Sequence, residues 1–98
     1  NALGQYYLYS KQFDKALKAL KEAERLDDSE LLVQLNLAHL YLLNDDYKKA
    51  KEIHKKYKSQ NVTSKVSWVA KTKADFEELQ KAGFKSDDFE RILKVLED

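Results

Sequence analysis

A chain of 98 residues with 43% apolar and 36% charged side chains and a net charge of +1 holds one domain with a modest core and is too apolar for disorder. Two glycines and no proline, against about seven and five at average usage, exclude an all-β sandwich or barrel with its many tight turns. The absence of cysteine excludes disulfide frameworks, thiolate metal sites and cysteine nucleophiles, and leaves cytosol and periplasm both open as compartments.

The chain opens Asn1-Ala2-Leu3-Gly4 without a methionine. It is expected to be a segment of a longer protein whose first two residues are foreign to it. A first helix leads to the polar break Ser10-Lys11-Gln12. Phe13, Ala16, Leu17, Leu20, Ala23 and Leu26 then recur at helical spacing and predict a second helix ending near Asp27. Asp27, Asp28 and Ser29 are candidate N-caps for a central helix, Ser29 to Leu43. From Leu31 to Leu43, leucines, Val33, Ala38 and Tyr41 leave only Gln34, Asn36 and His39 polar. A helix apolar nearly all round is covered on more than one side.

After the break Asn44-Asp45-Asp46, with Asp45 or Asp46 as cap, Tyr47, Ala50, Ile53, His54 and Tyr57 mark a fourth helix. Gln60 to Thr63 break the chain again. The stripe Val62, Val66, Val69, Phe76 and Leu79 predicts a fifth helix capped by Thr63 or Ser64 and running to about Ala82. Gly83 fits a left-handed C-cap. Ser86 opens a last helix with Phe89, Ile92, Leu93 and Leu96 inward. No segment reaches the ~20 apolar residues that span a bilayer.

A shift of 34 residues aligns Leu3 with Leu37, Tyr7 with Tyr41, Leu8 with Leu42, Phe13 with Tyr47 and Ala16 with Ala50. Leu3-Gly4-x2-Tyr7 followed by Ala16-x3-Leu20, and Leu37-Ala38-x2-Tyr41 followed by Ala50-x3-His54, resemble the tetratricopeptide repeat. Asp28 stands at the closing proline's place. The resemblance implies an all-α fold: antiparallel helix hairpins stacked as a short right-handed solenoid. Its expected units are 1–30, 31–64, and a capping helix pair or degenerate third repeat over 65–98. In that last unit Trp68 holds the family's Trp place, but Lys71, Thr72 and Asp75 hold those of Leu, Gly and Tyr.

The resemblance also implies a function. First helices of such units line a concave groove for a partner's peptide or helix, which here selects Gln5, Leu8, Tyr9, Leu32, Leu35, Asn36, His39 and Leu43. The family's carboxylate-gripping subgroup would need Lys and Asn at the places of Asn1 and Gln5, Asn at Asn36, and Lys and Arg at the places of Val66 and Ala70; only Asn36 matches. A structural capping or self-association role is the alternative, with a weak homodimer expected through an edge at Leu3, Tyr6 and Tyr7.

Other chemistries find few parts. Two histidines without a third ligand give no metal site, and no cofactor or small-molecule substrate is implied. The pairs Asp27-Asp28, Asp45-Asp46 and Asp87-Asp88 suit helix starts, where negative charge is favoured. Neither a phosphate loop nor a nucleophile elbow occurs, so no enzyme is expected. Charge is uneven: residues 47 to 73 carry nine lysines against Glu52 alone, between flanks of net −3 and −4. An RNA-associated role through lysines 48–73 is the weaker alternative. With no arginine and few interleaved surface aromatics, a solvated helix face with intramolecular pairing is the plainer expectation.

Overall fold

The computed structural model describes residues 2–98, which form six helices: α1 (Ala2–Tyr9), α2 (Phe13–Leu26), α3 (Leu31–Leu43), α4 (Tyr47–Tyr57), α5 (Trp68–Lys81) and α6 (Asp88–Glu97). This is an all-α helical repeat fold. α1 runs closely along α2, α3 along α4, and α2 packs on α3.

The 34-residue period reappears in the turns inside the two hairpins. Lys11 and Asp45, equivalent under that shift, both take the left-handed conformation at φ 62. Gln12 N–H donates to the Tyr7 carbonyl at 2.9 Å, and Asp46 N–H to the Tyr41 carbonyl at 2.8 Å. Two different sequences, Ser10-Lys11-Gln12 and Asn44-Asp45-Asp46, thus close their helices with one backbone geometry.

α3 is the central helix that its apolar girth predicts, with nine residues buried. On one side Val33, Leu37 and Leu40 meet Leu8, Ala16 and Leu20 from the first hairpin. On the other, Leu35 and Leu42 join Ala50 and the C-terminal aromatics Trp68, Phe76, Phe84 and Phe89. Gly4 and Ala38 are both buried, as the close approach of paired helices requires.

Two expected boundaries are corrected. Glu30, rather than Asp27, Asp28 or Ser29, caps α3 by accepting from Leu32 N–H at 3.2 Å. Asp27 instead accepts from the Ser29 amide and hydroxyl, a local turn that competes with capping. The fifth helix begins at Trp68, not near Thr63. Val62 N–H donates to the Val66 carbonyl at 2.8 Å, so the chain reverses there. Thr63 Oγ1 accepts from the Lys65 and Val66 amides inside that reversal. The helix cap is Ser67, accepting from Ala70 N–H at 3.0 Å. Asp46 caps α4 and Ser86 accepts from Asp88 N–H, as expected. Gly83 takes φ 95 past the end of α5.

The last two helices depart from the hairpin pattern. α4 packs its backbone against α6 as α2 does against α3, whereas α5 approaches α3 and α4 less closely. α5 reaches them through long side chains.

Candidate interaction surface

The residues selected for a groove divide into an open end and a covered end. At the open end, Gln5 is exposed and Tyr9 half-buried on α1. With Ala2, Tyr6 and Ser10 they line a shallow, open depression of about 490 Å³. Asn1 lies outside the described residues. Leu8 points the other way, into the core of the first hairpin. Leu32 and Leu43 are half-buried.

At the covered end, Leu35, Asn36 and His39 are all buried, His39 to 2% exposure. What covers Leu35 and His39 is α5. His39 Nε2 lies 3.0 Å from Asp75 Oδ2, and its ring packs against Phe76 at 5.4 Å. Leu35 and Leu42 share a cluster with Trp68, Phe76 and Leu79. Just past α5, Phe84 meets Tyr9 edge to face at 6.1 Å. α5 therefore extends from α4 across α3 to the end of α1. His39 is buried rather than open as its sequence context suggests, because Asp75 supplies a polar partner from 36 residues away.

A second histidine lies in the same layer. His54 on α4 is fully buried and accepts from Trp68 Nε1–H through Nδ1 at 2.9 Å. Indole nitrogen can only donate, so the neutral His54 ring carries its proton on Nε2. The two imidazoles stand 6.3 Å apart. His39 Nδ1 and His54 Nε2 are buried with no hydrogen-bond partner among the described residues. Such unpaired atoms cost about 1–3 kcal/mol each.

The electrostatics follow from this burial. Desolvation, aided by neighbouring His39, lowers the His54 pKa to about 3. Burial alone would raise Asp75, but the His39 bond and the Lys71 ion pair outweigh it and hold the carboxyl below its usual range. Lys71 Nζ sits 2.9 Å from Asp75 Oδ1 at the partly exposed rim. Burial, then the carboxylates of Asp75 and Glu78, raise the Tyr9 phenol.

The sequence places His54 on the stripe of the fourth helix and carries no sign of its bond to Trp68. A histidine and a tryptophan on separate helices carry no spacing that announces a contact.

The lysine block is partly engaged within the molecule. Lys49 and Lys56 sit over the rings of Tyr41 and Tyr57, Lys58 donates to the Asp98 carbonyl, and Lys71 pairs with Asp75. Among the described residues no group of three or more His, Cys, Asp or Glu could hold a metal ion. No helix among them is long and apolar enough to cross a membrane.

Compared with known proteins, residues 7–67 match the family model for the tetratricopeptide repeat. No curated protein and no solved structure matches the chain.

Proposed function

The chain belongs to the tetratricopeptide repeat family, and from that premise we propose that it is a non-enzymatic module binding a partner's peptide or helix along its first-helix face. Repeats of this family generally mediate protein–protein interactions and are typically non-enzymatic. The observation that supports the groove most directly is the open depression on α1. It combines the amide of Gln5, the hydroxyl of Ser10 and the faces of Tyr6 and Tyr9, the mixture of apolar contact and orienting polar groups that receives an extended or helical segment. The proposed surface continues over Leu32 and Leu43 and, on its buried part, over Leu35, Asn36 and His39; Leu8, in the core, is not part of it. The α1 end is where a ligand engages while α5 covers the rest. The His39–Asp75 pair, with side chains 2% and 9% exposed, leaves a substrate no access.

The test is affinity for a partner recovered by pull-down, identified, and titrated with purified components. Gln5→Ala combined with Tyr9→Ala is expected to weaken binding by about 1–3 kcal/mol. Gln5 is exposed and adds little to the core, whereas Tyr9 packs on Phe84 at its edge, so the thermal midpoint of the variant is read beside its affinity. Doubling the salt is expected to change the affinity little. A steep fall with salt and an unchanged double variant would transfer the function to the lysine block.

A second reading, self-association, is favoured by Leu3 and Tyr6, which stand 54% and 62% exposed on α1. Apolar side chains of that size, side by side on one helix, suit an interface. Sedimentation velocity is expected to show a concentration-dependent dimer that Leu3→Glu with Tyr6→Glu abolishes. A strict monomer at millimolar concentration removes this reading.

A further inference from the structure

The surface that a concave-face ligand would use is already occupied by part of the chain, and the occupant shows what the surface accepts. On α5, Trp68, Thr72, Asp75, Phe76 and Leu79 are the buried residues. They fall at i, i+4, i+7, i+8 and i+11, a single helical face. Each large member has a named seat. Trp68 lies against His54 and Tyr57, with ring centroids at 5.6 and 5.3 Å. Phe76 packs on His39 and His54, and Asp75 bonds His39. The backbones stand apart, so the seat is made of pockets for side chains rather than a close backbone fit. That is the form in which a groove takes an amphipathic helix. A reversal over residues 60–67, closed by the Asn61–Ser67 bridge, leads into α5.

We propose that the α3–α4 face bearing Leu35, His39, Leu42 and His54 is a helix-receiving surface, that α5 is its resident occupant, and that proton uptake at buried His54 releases it. This deepens the interaction-module reading and rests on it. The partner the bared face takes is a helix with α5's own chemistry: an aromatic anchor, a carboxylate seven residues on, and a second aromatic directly after it.

The closed state is held in part by the Trp68–His54 bond, which proton uptake at His54 breaks. His54 accepts from Trp68 only while its Nδ1 is unprotonated, and the closed ring resists protonation down to about pH 3 through burial and His39. Released, the ring returns to the ordinary value near 6.5. The open state therefore binds a proton that the closed state does not. Closure is complete above pH 6.5 and weakens as pH falls below it, by up to tenfold per pH unit.

The groups facing this layer are His39 from α3, Asp75 and Lys71 from α5, and Tyr57 from α4; Tyr9 of α1 and Glu78 of α5 stand at its rim. Asp75, held low in the closed state, acts in the same direction, but only below about pH 3.8. Tyr9, raised, titrates outside the window.

Trp68 is the single tryptophan, buried completely when α5 is seated, so its emission reports release in the full chain. Emission should shift to the red between pH 6.5 and 4.5 while far-UV dichroism keeps most of its amplitude. Amide exchange, corrected for intrinsic rates, should lose protection on α5 before α1 to α4. His54→Gln, whose amide accepts the indole N–H but does not titrate, should flatten the emission change over this range. A labelled peptide of residues 66–84, added to the full chain, should raise its anisotropy at pH 5 and not at pH 7.5.

Loss of emission and dichroism together, uniform loss of amide protection, or no change down to pH 4.5, would overturn the release. An equal response in a folded His54→Gln would overturn the role of the histidine. If that variant fails to fold, the exchange pattern of the wild type decides. Release without peptide binding would overturn the helix-receiving surface. None of these readouts uses Gln5 or Tyr9, so failure here and failure of the α1 groove are read separately.

Discussion

Truncating Leu37 to alanine is expected to cost about 2–5 kcal/mol, the range for deleting a buried leucine side chain. The size follows from position. Leu37 is 1% exposed and sits among Leu8, Ala16, Leu20, Val33 and Leu40, where α3 meets both helices of the first hairpin. Helices on both sides fix the cavity walls, so collapse relieves little of the void. Against a total of roughly 5–15 kcal/mol for a natural protein, the loss is a large share of the stability. Urea denaturation reads it as a lower midpoint at unchanged slope. Leu26→Ala is the control, because Leu26 is 71% exposed and should stay within about 0.5 kcal/mol. Equal costs for the two would mean that α3 does not bury the side its sequence marks as apolar.

That Leu37 can be singled out at all reflects how local the signal is over α1 to α4. Apolar periodicity, a shift of 34 residues and two short polar breaks are properties of neighbouring residues, and they place the helix ends within a residue or two. The same rules fail at residues 62–67 for a local reason. Thr63-x2-Val66 and Ser67-x2-Ala70 both offer a hydroxyl to an amide three residues on. Only the burial of Trp68 decides that the first closes a turn and the second starts a helix. Val62 and Val66, spaced as on a helix face, are paired instead across the reversal.

The candidate surface was legible as a set of positions and not as a state. Asn36 and His39 stand at positions that the family resemblance assigns to a concave face, and nothing near them in the chain says that His39 will lie under α5. Its cover depends on Asp75, brought from 36 residues away, and on Phe76 beside it. Apolar pattern predicts that α5 has a buried face without saying on what. Conversely, the departures of the 65–98 segment from the repeat pattern, with Thr72 and Asp75 at the places of glycine and tyrosine, are explained by this cover. Thr72 donates to the Trp68 carbonyl inside the helix, and Asp75 meets a histidine.

The largest effect is expected from cutting that histidine's bond on one side only. Asp75→Ala leaves His39 Nε2 buried without a partner beside an Nδ1 that already has none. His39→Leu leaves the Asp75 carboxylate buried with only Lys71 at its rim. Each single change is expected to cost about 3–5 kcal/mol, because an uncompensated polar or charged group remains in the interior. Replacing both, His39→Leu with Asp75→Leu, should cost far less than the sum. The new side chains are apolar and of similar volume, and they face Phe76 and Leu35. A double-mutant cycle in urea therefore predicts a coupling of several kcal/mol. Such a result separates two meanings of the pair. If stability were its purpose, an apolar replacement would serve as well or better. The polar version adds dependence on one geometry. The doubly apolar variant should hold α5 down and keep the acid response that the Trp68–His54 bond confers. Additive costs would show instead that Asp75 acts through Lys71 at the surface, and that the histidine is a bystander in the seating of α5.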